Sequence, residues 1–236
     1  MDPRPRTRQR HTAGPASLEQ LKRLIVLAPV PDVTLRELTE YSRFGVYPRR
    51  EDIDWQGDGN EGVVLSVVEG GTEVSFLSLD GRELPVVVVS TGHLLELDAE
   101  GWAGVDATLV TVTSSSASCC LIAQLVFEQV VTSCQAAAIL LLREERGWRQ
   151  ELGGLVSDRL YYSPEARIRR TLWRATRGVP DQSGIFTHEY LGARAGTTQP
   201  RATQEIGRLS RDGTIEVDRK EHRIFVVHPE RLIVDD

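Results

Sequence analysis

The chain has 236 residues, which is enough for two modest domains that each bury a hydrophobic core. Its apolar runs at 86–89 and 136–142 are far too short to span a bilayer, and its first residues lack the hydrophobic segment of a signal peptide, so we expect a cytoplasmic protein. The three cysteines have neither the count of a disulfide framework nor the spacing of a metal site, and the chain has no nucleophile elbow or phosphate loop, so we expect no metal, no cofactor and no enzyme activity.

The first 17 residues are rich in Arg, Pro and Thr and show no apolar periodicity. A segment of this kind cannot bury enough apolar surface to fold, so we predict a disordered basic tail over 1–17. Its four arginines leave open the alternative of an arm that touches DNA phosphates.

Residues 18–127 predict short helices followed by a small antiparallel β structure. Two helical patterns come first, LEQLKRLIVL and VTLRELTEYSRF. From Val46 to Phe127 the pattern changes to short strands, VVLSVVEG, TEVSFLSL, ELPVVVVS and TLVTVTS, with a hairpin signal at Asp80-Gly81. Short strands at regular spacing predict a roll or barrel.

Residues 128–162 predict a long helix with apolar residues at every seventh position. This period is typical of a coiled-coil seam, although Glu144, Glu145 and Glu151 fall where a second apolar row is expected. The repeat consists of Cys134, Leu141, Trp148, Leu155 and Tyr162. We predict a dimer interface through its first four members, and packing of the helix on its own domain is the alternative.

Residues 163–236 predict three helices and a hairpin. Ser163-Pro164-Glu165 is a helix start, because serine can cap the helix, proline is tolerated in its first turn and an acid favours that end. Thr187 and Thr198 stand at the N-caps of two further helices that Gly196 separates. Two strands follow around 219–222, and the whole predicts a winged helix-turn-helix.

The second of these two helices, over 198–211, has two distinct faces. Ala202, Ile206 and Leu209 form an apolar side, and the opposite side is rich in Gln and Arg. Such a helix is suited to lie in the major groove of DNA. Residues 163–236 carry 13 basic and 11 acidic side chains whereas 18–162 carry 11 and 22, so this end of the chain is the one we expect to approach DNA.

The order of these parts resembles the Crp/Fnr family of bacterial transcription regulators. The resemblance covers about 18–233 and is most specific in SPEARIRRTL, FTHEYLGARAGTTQPRATQEIGRLSRDGTIEV and VDRKEHRIFVVHPERL. It implies an α+β fold with an N-terminal β-roll sensor domain of the cyclic-nucleotide-binding type over 18–127, a long dimerisation helix over 128–162 and a C-terminal winged helix-turn-helix domain over 163–236. It also implies a homodimer that binds a two-fold symmetric site in double-stranded DNA and acts on RNA polymerase, in many members under the control of an effector.

The sensor domain departs from the family members that bind cyclic nucleotides. Those members hold the ribose with a Gly-Glu pair and the cyclic phosphate with an Arg about ten residues later. Here Glu96 matches the first motif, but Asp106 stands at the position of the arginine. Because an aspartate repels a phosphate instead of pairing with it, we expect no binding of cyclic AMP, and the effector stays unknown.

The DNA-reading helix departs as well, because Gln199, Pro200 and Gln204 replace the Arg, Glu and Arg of many members. The glutamines suit adenine edges and Arg201 suits guanine. Contacts with phosphates are predicted for Thr187, His188, Thr198 and Arg208. Because of Pro200 and the weak basic charge, the alternative is an interaction protein of the same fold that does not bind DNA and pairs with another regulator or with RNA polymerase.

Overall fold

The computed structural model describes residues 13–55, 62–77, 83–97, 107–178, 187–218 and 223–232. The chain divides into two compact units, one formed by 1–78 with 87–148 and the other by 79–86 with 149–236. No helix in the described ranges is both long enough and apolar enough to cross a membrane.

The first part of the chain contains short helices and two sheets, in line with the predicted roll. Its elements are β1 (Gly14–Pro15), α1 (Leu18–Lys22), α2 (Asp32–Thr39), β2 (Ser42–Pro48), β3 (Val63–Glu69), β4 (Gly71–Leu77), β5 (Glu83–Ser90), β6 (Leu94–Leu97), β7 (Ala107–Val112), β8 (Ser116–Ala123) and α3 (Gln124–Ser133). One sheet has the strand order β1-β2-β8-β3-β6 and the other β5-β4-β7. The hairpin signal at Asp80-Gly81 lies outside the described residues.

The core of the first unit forms where one face of β3 meets the helices. Val64 and Val68 are four residues apart in β3, and since side chains alternate between the two faces of a strand, both point to the same face. Both are buried in one cluster with Leu21, Leu35 and Phe127. Since β3 is buried along almost its whole length, its sequence is a continuous Val-rich run instead of an alternating pattern.

The end of the segment predicted to be a disordered tail is ordered. Gly14 and Pro15 pair with Phe44 and Arg43 of β2, and Ala16 is only 4% exposed. The prediction over 1–17 is therefore wrong for residues 14–16, because pairing through the backbone requires no apolar repeat. Residues 1–12 lie outside the described part of the chain.

The helix predicted as continuous over 128–162 is interrupted at Cys134. Helix α3 ends at Ser133, Cys134 has extended backbone angles (φ −122°, ψ 102°), and α4 runs over Gln135–Tyr161. The hydroxyls of Thr132 and Ser133 each donate to a carbonyl of the preceding turn at 2.7 Å, which offers the backbone an alternative to continuing the helix.

The second unit has the helices and hairpin that the sequence predicts. Its further elements are α5 (Pro164–Gly178), α6 (His188–Arg194), α7 (Gln199–Arg211), β9 (Ile215–Asp218), β10 (Arg223–Val226) and a short 3-10 helix at Pro229–Arg231. Strands β9 and β10 pair antiparallel. Ile168, Leu191 and Ile206 bring all three helices into one buried cluster with the hairpin residues Ile215 and Ile224.

Candidate nucleic-acid interface

Helices α6 and α7 are joined by a tight turn at Gly196, which has a left-handed backbone (φ 61°). At the start of α6 the Thr187 hydroxyl accepts a hydrogen bond from the Tyr190 N–H at 3.1 Å, as its capping position predicts. Thr198 has the extended backbone of a cap at the start of α7, but its side chain makes no capping bond. The local sequence therefore sets the start of α6 and the turn at Gly196, whereas the capping bond predicted for Thr198 is not formed.

The apolar side of α7 is buried as predicted. Ala202, Ile206 and Leu209 are each at most 2% exposed and pack in the cluster described above. Burial of this side fixes which face of α7 is left for solvent or for a partner.

The structure brings most of the predicted DNA-contacting residues together on the free face of α7. Gln199, Arg201, Gln204 and Arg208 are exposed on the helix, and Thr198 is exposed at its cap. Spacings of three and four residues place Arg201, Gln204 and Arg208 in one row along the helix. This row is the central element of the candidate interface.

Thr187 and His188 are half-buried at the start of α6 instead. The His188 Nδ1 atom lies 3.0 Å from the Thr203 hydroxyl of α7, so a hydrogen bond joins the two helices. The Thr187 hydroxyl already accepts the capping bond. Contacts of Thr187 and His188 with phosphates stay a prediction.

Glu205 is a member of this site that the sequence analysis missed. It lies on α7 with only 3% of its surface exposed, and it holds two arginines. Its Oε1 atom accepts hydrogen bonds from Arg169 Nε and from Arg208 Nη2, each at 2.9 Å, and its Oε2 atom accepts from Arg208 Nε at 3.1 Å. The spacing of three residues between Glu205 and Arg208 is a sequence signal for an ion pair on one helix. No such local signal points to Arg169, because it lies on another helix, α5.

A cleft of about 250 Å³ opens beside these residues, between the first turns of α5 and the free face of α7. We call it the α5–α7 cleft. Four guanidinium groups, two carboxylates and one amide line it: Arg169, Arg201, Arg208, Arg211, Glu165, Glu205 and Gln204. The lining carries a net positive charge and is suited to an anion.

Three of the four residues predicted to form the dimer seam, Cys134, Leu141 and Trp148, contact their own chain. Trp148 Nε1 donates to the Leu94 carbonyl at 2.8 Å, and Leu141 and Cys134 pack against the core of the first unit. Leu155 is half-buried. This placement argues against the predicted seam, because side chains that pack on their own domain are not available to a partner.

A different set of apolar side chains on α4 is exposed. Ile139 is 44%, Leu142 64%, Val156 59% and Leu160 70% exposed. Between Leu142 and Val156 the same side of the helix carries Arg146, Arg149 and Gly153. The whole series from Ile139 to Leu160 advances by three and four residues in turn. This is the repeat of a coiled-coil face in a phase different from the predicted one. We call these four residues the exposed α4 face.

Among the residues that the structure describes, the first unit contains little that suits a cyclic phosphate. Burial raises the pKa of the Glu96 carboxyl on β6, and the neighbouring carboxylates of Glu145 and Glu128 raise it further. A phosphate would add negative charge to these surroundings. Asp106, which stands at the position of the family's arginine, lies outside the described residues.

The cysteines in β8 are poor candidates for chemistry. Burial raises the pKa of the Cys119 thiol and that of the Cys120 thiol to about 12, so neither forms the reactive thiolate at neutral pH. In the ranges that the structure describes, no three His, Cys, Asp or Glu residues are grouped to hold a metal ion.

No protein-family model and no curated protein matches the sequence. Solved structures do match it. FixK2 from Bradyrhizobium japonicum has a TM-score of 0.65 at 16% identity, over 81% of this chain and 95% of that one. A mutant of CooA from Carboxydothermus hydrogenoformans has a TM-score of 0.67 at 13% identity, over 94% and 96%. A transcriptional regulator of the CRP/FNR family from Thermus thermophilus has a TM-score of 0.59 at 16% identity, over 80% and 95%. The chain therefore has the fold of these three proteins.

Proposed function

We propose that the chain is a homodimeric, sequence-specific DNA-binding transcription regulator of the Crp/Fnr type that acts in the cytoplasm. The observation that carries the proposal is helix α7, which buries Ala202, Ile206 and Leu209 and leaves a row of Gln and Arg side chains exposed. Other structures with this fold are described as transcriptional regulators, which supports the same function.

The chemistry of the exposed row supports specific contacts with bases. Gln199 and Gln204 can each donate to and accept from an adenine edge, and Arg201 can donate two parallel hydrogen bonds to guanine. Thr198 and Arg208, at the two ends of the row, and Thr187 and His188 at the start of α6 are assigned to phosphates. These contacts would set the register of the protein on DNA.

We assign the dimer contact to the exposed α4 face and its occupant to a second copy of this chain. Four large apolar side chains at heptad spacing leave water when two such helices pair in parallel. The spacing supports this occupant, because steps of three and four residues place Ile139, Leu142, Val156 and Leu160 in one stripe that can meet the same stripe of a second copy.

The proposed effector domain is atypical. We expect no cyclic AMP in it, because carboxylates surround Glu96 and Asp106 replaces the expected arginine.

A second function is favoured by one observation on α7 itself. Pro200 is exposed in the first turn, between Gln199 and Arg201, where many relatives present a charged side chain to the bases. Proline cannot donate or accept a side-chain hydrogen bond. The alternative is therefore a protein of the same fold that does not read DNA and instead pairs with another regulator or with RNA polymerase.

A gel-shift selection of genomic fragments by the full-length protein, repeated across salt concentrations, separates the two functions. We expect a small set of fragments to be retained, with an affinity that falls steeply as salt rises. The Gln199→Ala/Gln204→Ala double variant should lose the selection among fragments. Absence of any retained fragment at low salt would reject the DNA-binding function in favour of the alternative.

A further inference from the structure

The last part of α4, over 149–161, belongs to the second unit but not to its hydrophobic core. The buried cluster that contains Ile168, Leu191 and Ile206 includes no residue of α4. The structure describes all of 149–161, and Asp158 is the one buried residue in this stretch, with 4% of its surface exposed. Polar contacts therefore carry much of the connection between α4 and the helices that follow it.

Asp158 binds two arginines of α5 at once. Its Oδ1 atom accepts a hydrogen bond from Arg170 Nε at 2.8 Å, and its Oδ2 atom lies 2.6 Å from Arg174 Nη1. The Asp158 side chain is 6% exposed and both arginine side chains are mostly buried, so solvent weakens these pairs less than it weakens surface pairs. Tyr162, at the junction of α4 and α5, adds a contact, because its ring centre lies 4.2 Å from the guanidinium carbon of Arg170.

Glu151 makes a second contact, with the helix that precedes α7. Arg194 Nη2 donates to the Glu151 Oε1 atom at 3.2 Å, and Arg194 is the last residue of α6, just before the turn at Gly196. Arg159 of α4 lies against the same turn, since its guanidinium stands 3.3 Å from the position that a Cβ would take at Gly196. Contacts from α4 thus reach both α5 and the turn that leads into α7. We call the contacts of Asp158 and Glu151 with their arginines the polar joint.

The polar joint lies on the side of α4 opposite its exposed apolar residues. Glu151 and Asp158 are seven residues apart, about two full turns, so they face the same side of the helix. Val156 and Leu160, which belong to the exposed α4 face, are each two residues from Asp158 and therefore stand about half a turn away around the helix axis. In the proposed dimer, this one stretch of α4 contacts the second copy with one side and holds α5 and α6 with the other.

We propose that Asp158 sets the separation between the two α7 helices of the dimer, by fixing the direction in which α5 leaves α4. A helix-turn-helix dimer binds two half-sites whose separation matches that of its two reading helices. One added base pair moves a half-site by about 3.4 Å and turns it by about 34° around the DNA axis. A rigid joint excludes the altered site, whereas a loose joint can follow it. Asp158 is a positioning residue, since it acts through α5, and this inference rests on the proposed dimer and its binding of DNA.

The first test measures how strictly the full-length protein selects the separation of the half-sites. Wild type and Asp158→Asn are bound to the selected fragment and to versions whose half-sites lie one or two base pairs closer or further apart. Asparagine keeps the shape but has one acceptor oxygen, so one of the two arginines loses its partner. The ratio of affinities between the original and the altered separations should fall by about five- to tenfold. An unchanged ratio in a variant that shows a native melting transition would refute the role of Asp158.

A second measurement needs no DNA. A spin label is attached through Ser210→Cys, at an exposed position near the end of α7, in a chain that also carries Cys134→Ser. Cys119 and Cys120 are buried and should stay unlabelled. Pulsed electron paramagnetic resonance then gives the distance between the two labels of the dimer. We expect a narrow distribution in the otherwise wild-type chain and a broad one with Asp158→Asn; equal widths would overturn the inference.

The two measurements separate failure of the inference from failure of the proposed function. If the otherwise wild-type chain gives no distance between labels, the proposed dimer is wrong and this inference is wrong with it. If that chain gives a distance but the wild type retains no fragment, the DNA-binding function is wrong, and with it the selection of half-sites. If the distribution broadens while the ratio of affinities stays the same, the joint is real but does not set the separation.

The matched control is Asp32→Asn. Asp32 lies at the start of α2 and pairs with Lys22 at 2.6 Å, so this variant also loses one carboxylate and one ion pair, but in the first unit and away from the polar joint. We expect its ratio of affinities and its label distances to be those of the wild type. Equal changes in the two variants would show that only net charge matters, and would overturn the inference.

Arg174→Gln guards against loss of folding in Asp158→Asn. It removes the contact at Oδ2 but leaves Asp158 paired with Arg170, so no buried carboxylate is left without a partner. We expect a smaller change of the same sign in both measurements. Wild-type behaviour of Arg174→Gln and of Asp158→Asn, each with a native melting transition, would reject the role of the polar joint.

Discussion

The His93 Nδ1 atom, just before β6, lies 2.7 Å from a carboxylate oxygen of Glu144 on helix α4, and this contact is an ion pair when the imidazole is protonated. The same carboxylate accepts a hydrogen bond from the Leu94 backbone N–H at 3.3 Å. Four residues further along α4, Trp148 donates to the Leu94 carbonyl. Helix α4 is therefore fastened to the sheet by polar contacts at both backbone groups of one residue.

The contact between His93 and Glu144 predicts that the stability of the first unit depends on pH. The hydrogen bond with Glu144 raises the pKa of His93 above its ordinary value of 6.5, because it favours the charged imidazolium. A raised pKa in the folded state means that the stabilisation is complete below pH 6.5 and is lost as pH rises through the folded-state pKa. NMR titration of the imidazole should show this raised pKa, and Glu144→Gln should move it back toward the ordinary value. A titration midpoint that Glu144→Gln leaves unmoved would contradict the pairing.

The dimer contact predicts that Val156→Glu gives monomers. The substitution places a charge in the C-terminal part of the exposed α4 face, where two copies would have to bury it. Light scattering measures the mass in solution. Val33 on α2 is 67% exposed, and Val33→Glu is the matched control that should leave the dimer intact. A dimer that survives Val156→Glu would assign the contact elsewhere.

Two glycines in the second unit should respond to alanine with opposite signs. Gly196 has a left-handed backbone, so Gly196→Ala should lower the free energy of unfolding by about 1–2 kcal/mol. Gly207 lies inside α7 with open space around its missing Cβ, so Gly207→Ala should raise it by about 0.5–1 kcal/mol. Urea denaturation monitors both, and equal effects would mean that the turn does not require Gly196.

Arg201→Ala should weaken binding to the selected DNA by about 1–3 kcal/mol and relax the preference at one base position. The reason is the loss of a two-point contact with a guanine edge. Competition binding against fragments that carry each base at that position makes the comparison. A uniform loss across all fragments would move Arg201 to the phosphate-contacting group.

Calorimetric titration with cyclic AMP should show no binding. Glu96, Glu128 and Glu145 already give their region of the first unit an excess of negative charge, and Asp106 adds another carboxylate in the corresponding part of the sequence. A micromolar isotherm would require a cation that these residues do not supply, and would overturn this interpretation of the first unit.

The helix-turn-helix was predictable because each of its signals is local. Ala202, Ile206 and Leu209 recur at helical spacing, Thr187 caps α6, and Gly196 has the conformation that the end of a helix requires. All of these lie within a few residues of the structure that they specify, so no long-range contact is needed to interpret them.

The phase of the α4 repeat was not predictable from its period. Leu141 and Leu142 are adjacent and both apolar, so a seven-residue repeat can be drawn through either one. The choice depends on contacts with distant residues, such as that of Trp148 with Leu94, which bury one phase and expose the other. Glu205 was missed for the same reason, since its partner Arg169 lies 36 positions away in the chain.

The Arg169–Glu205 contact also determines how this protein can be re-engineered. Exchanging the exposed side chains of α7 to change the preferred DNA sequence leaves the contact intact. Replacing the whole helix by one with an apolar residue at position 205 would leave Arg169 on α5 without its carboxylate partner. Because Arg169 is only 9% exposed, its charge would then be buried and uncompensated. Grafts of DNA specificity into this scaffold must therefore exchange residues 169 and 205 together.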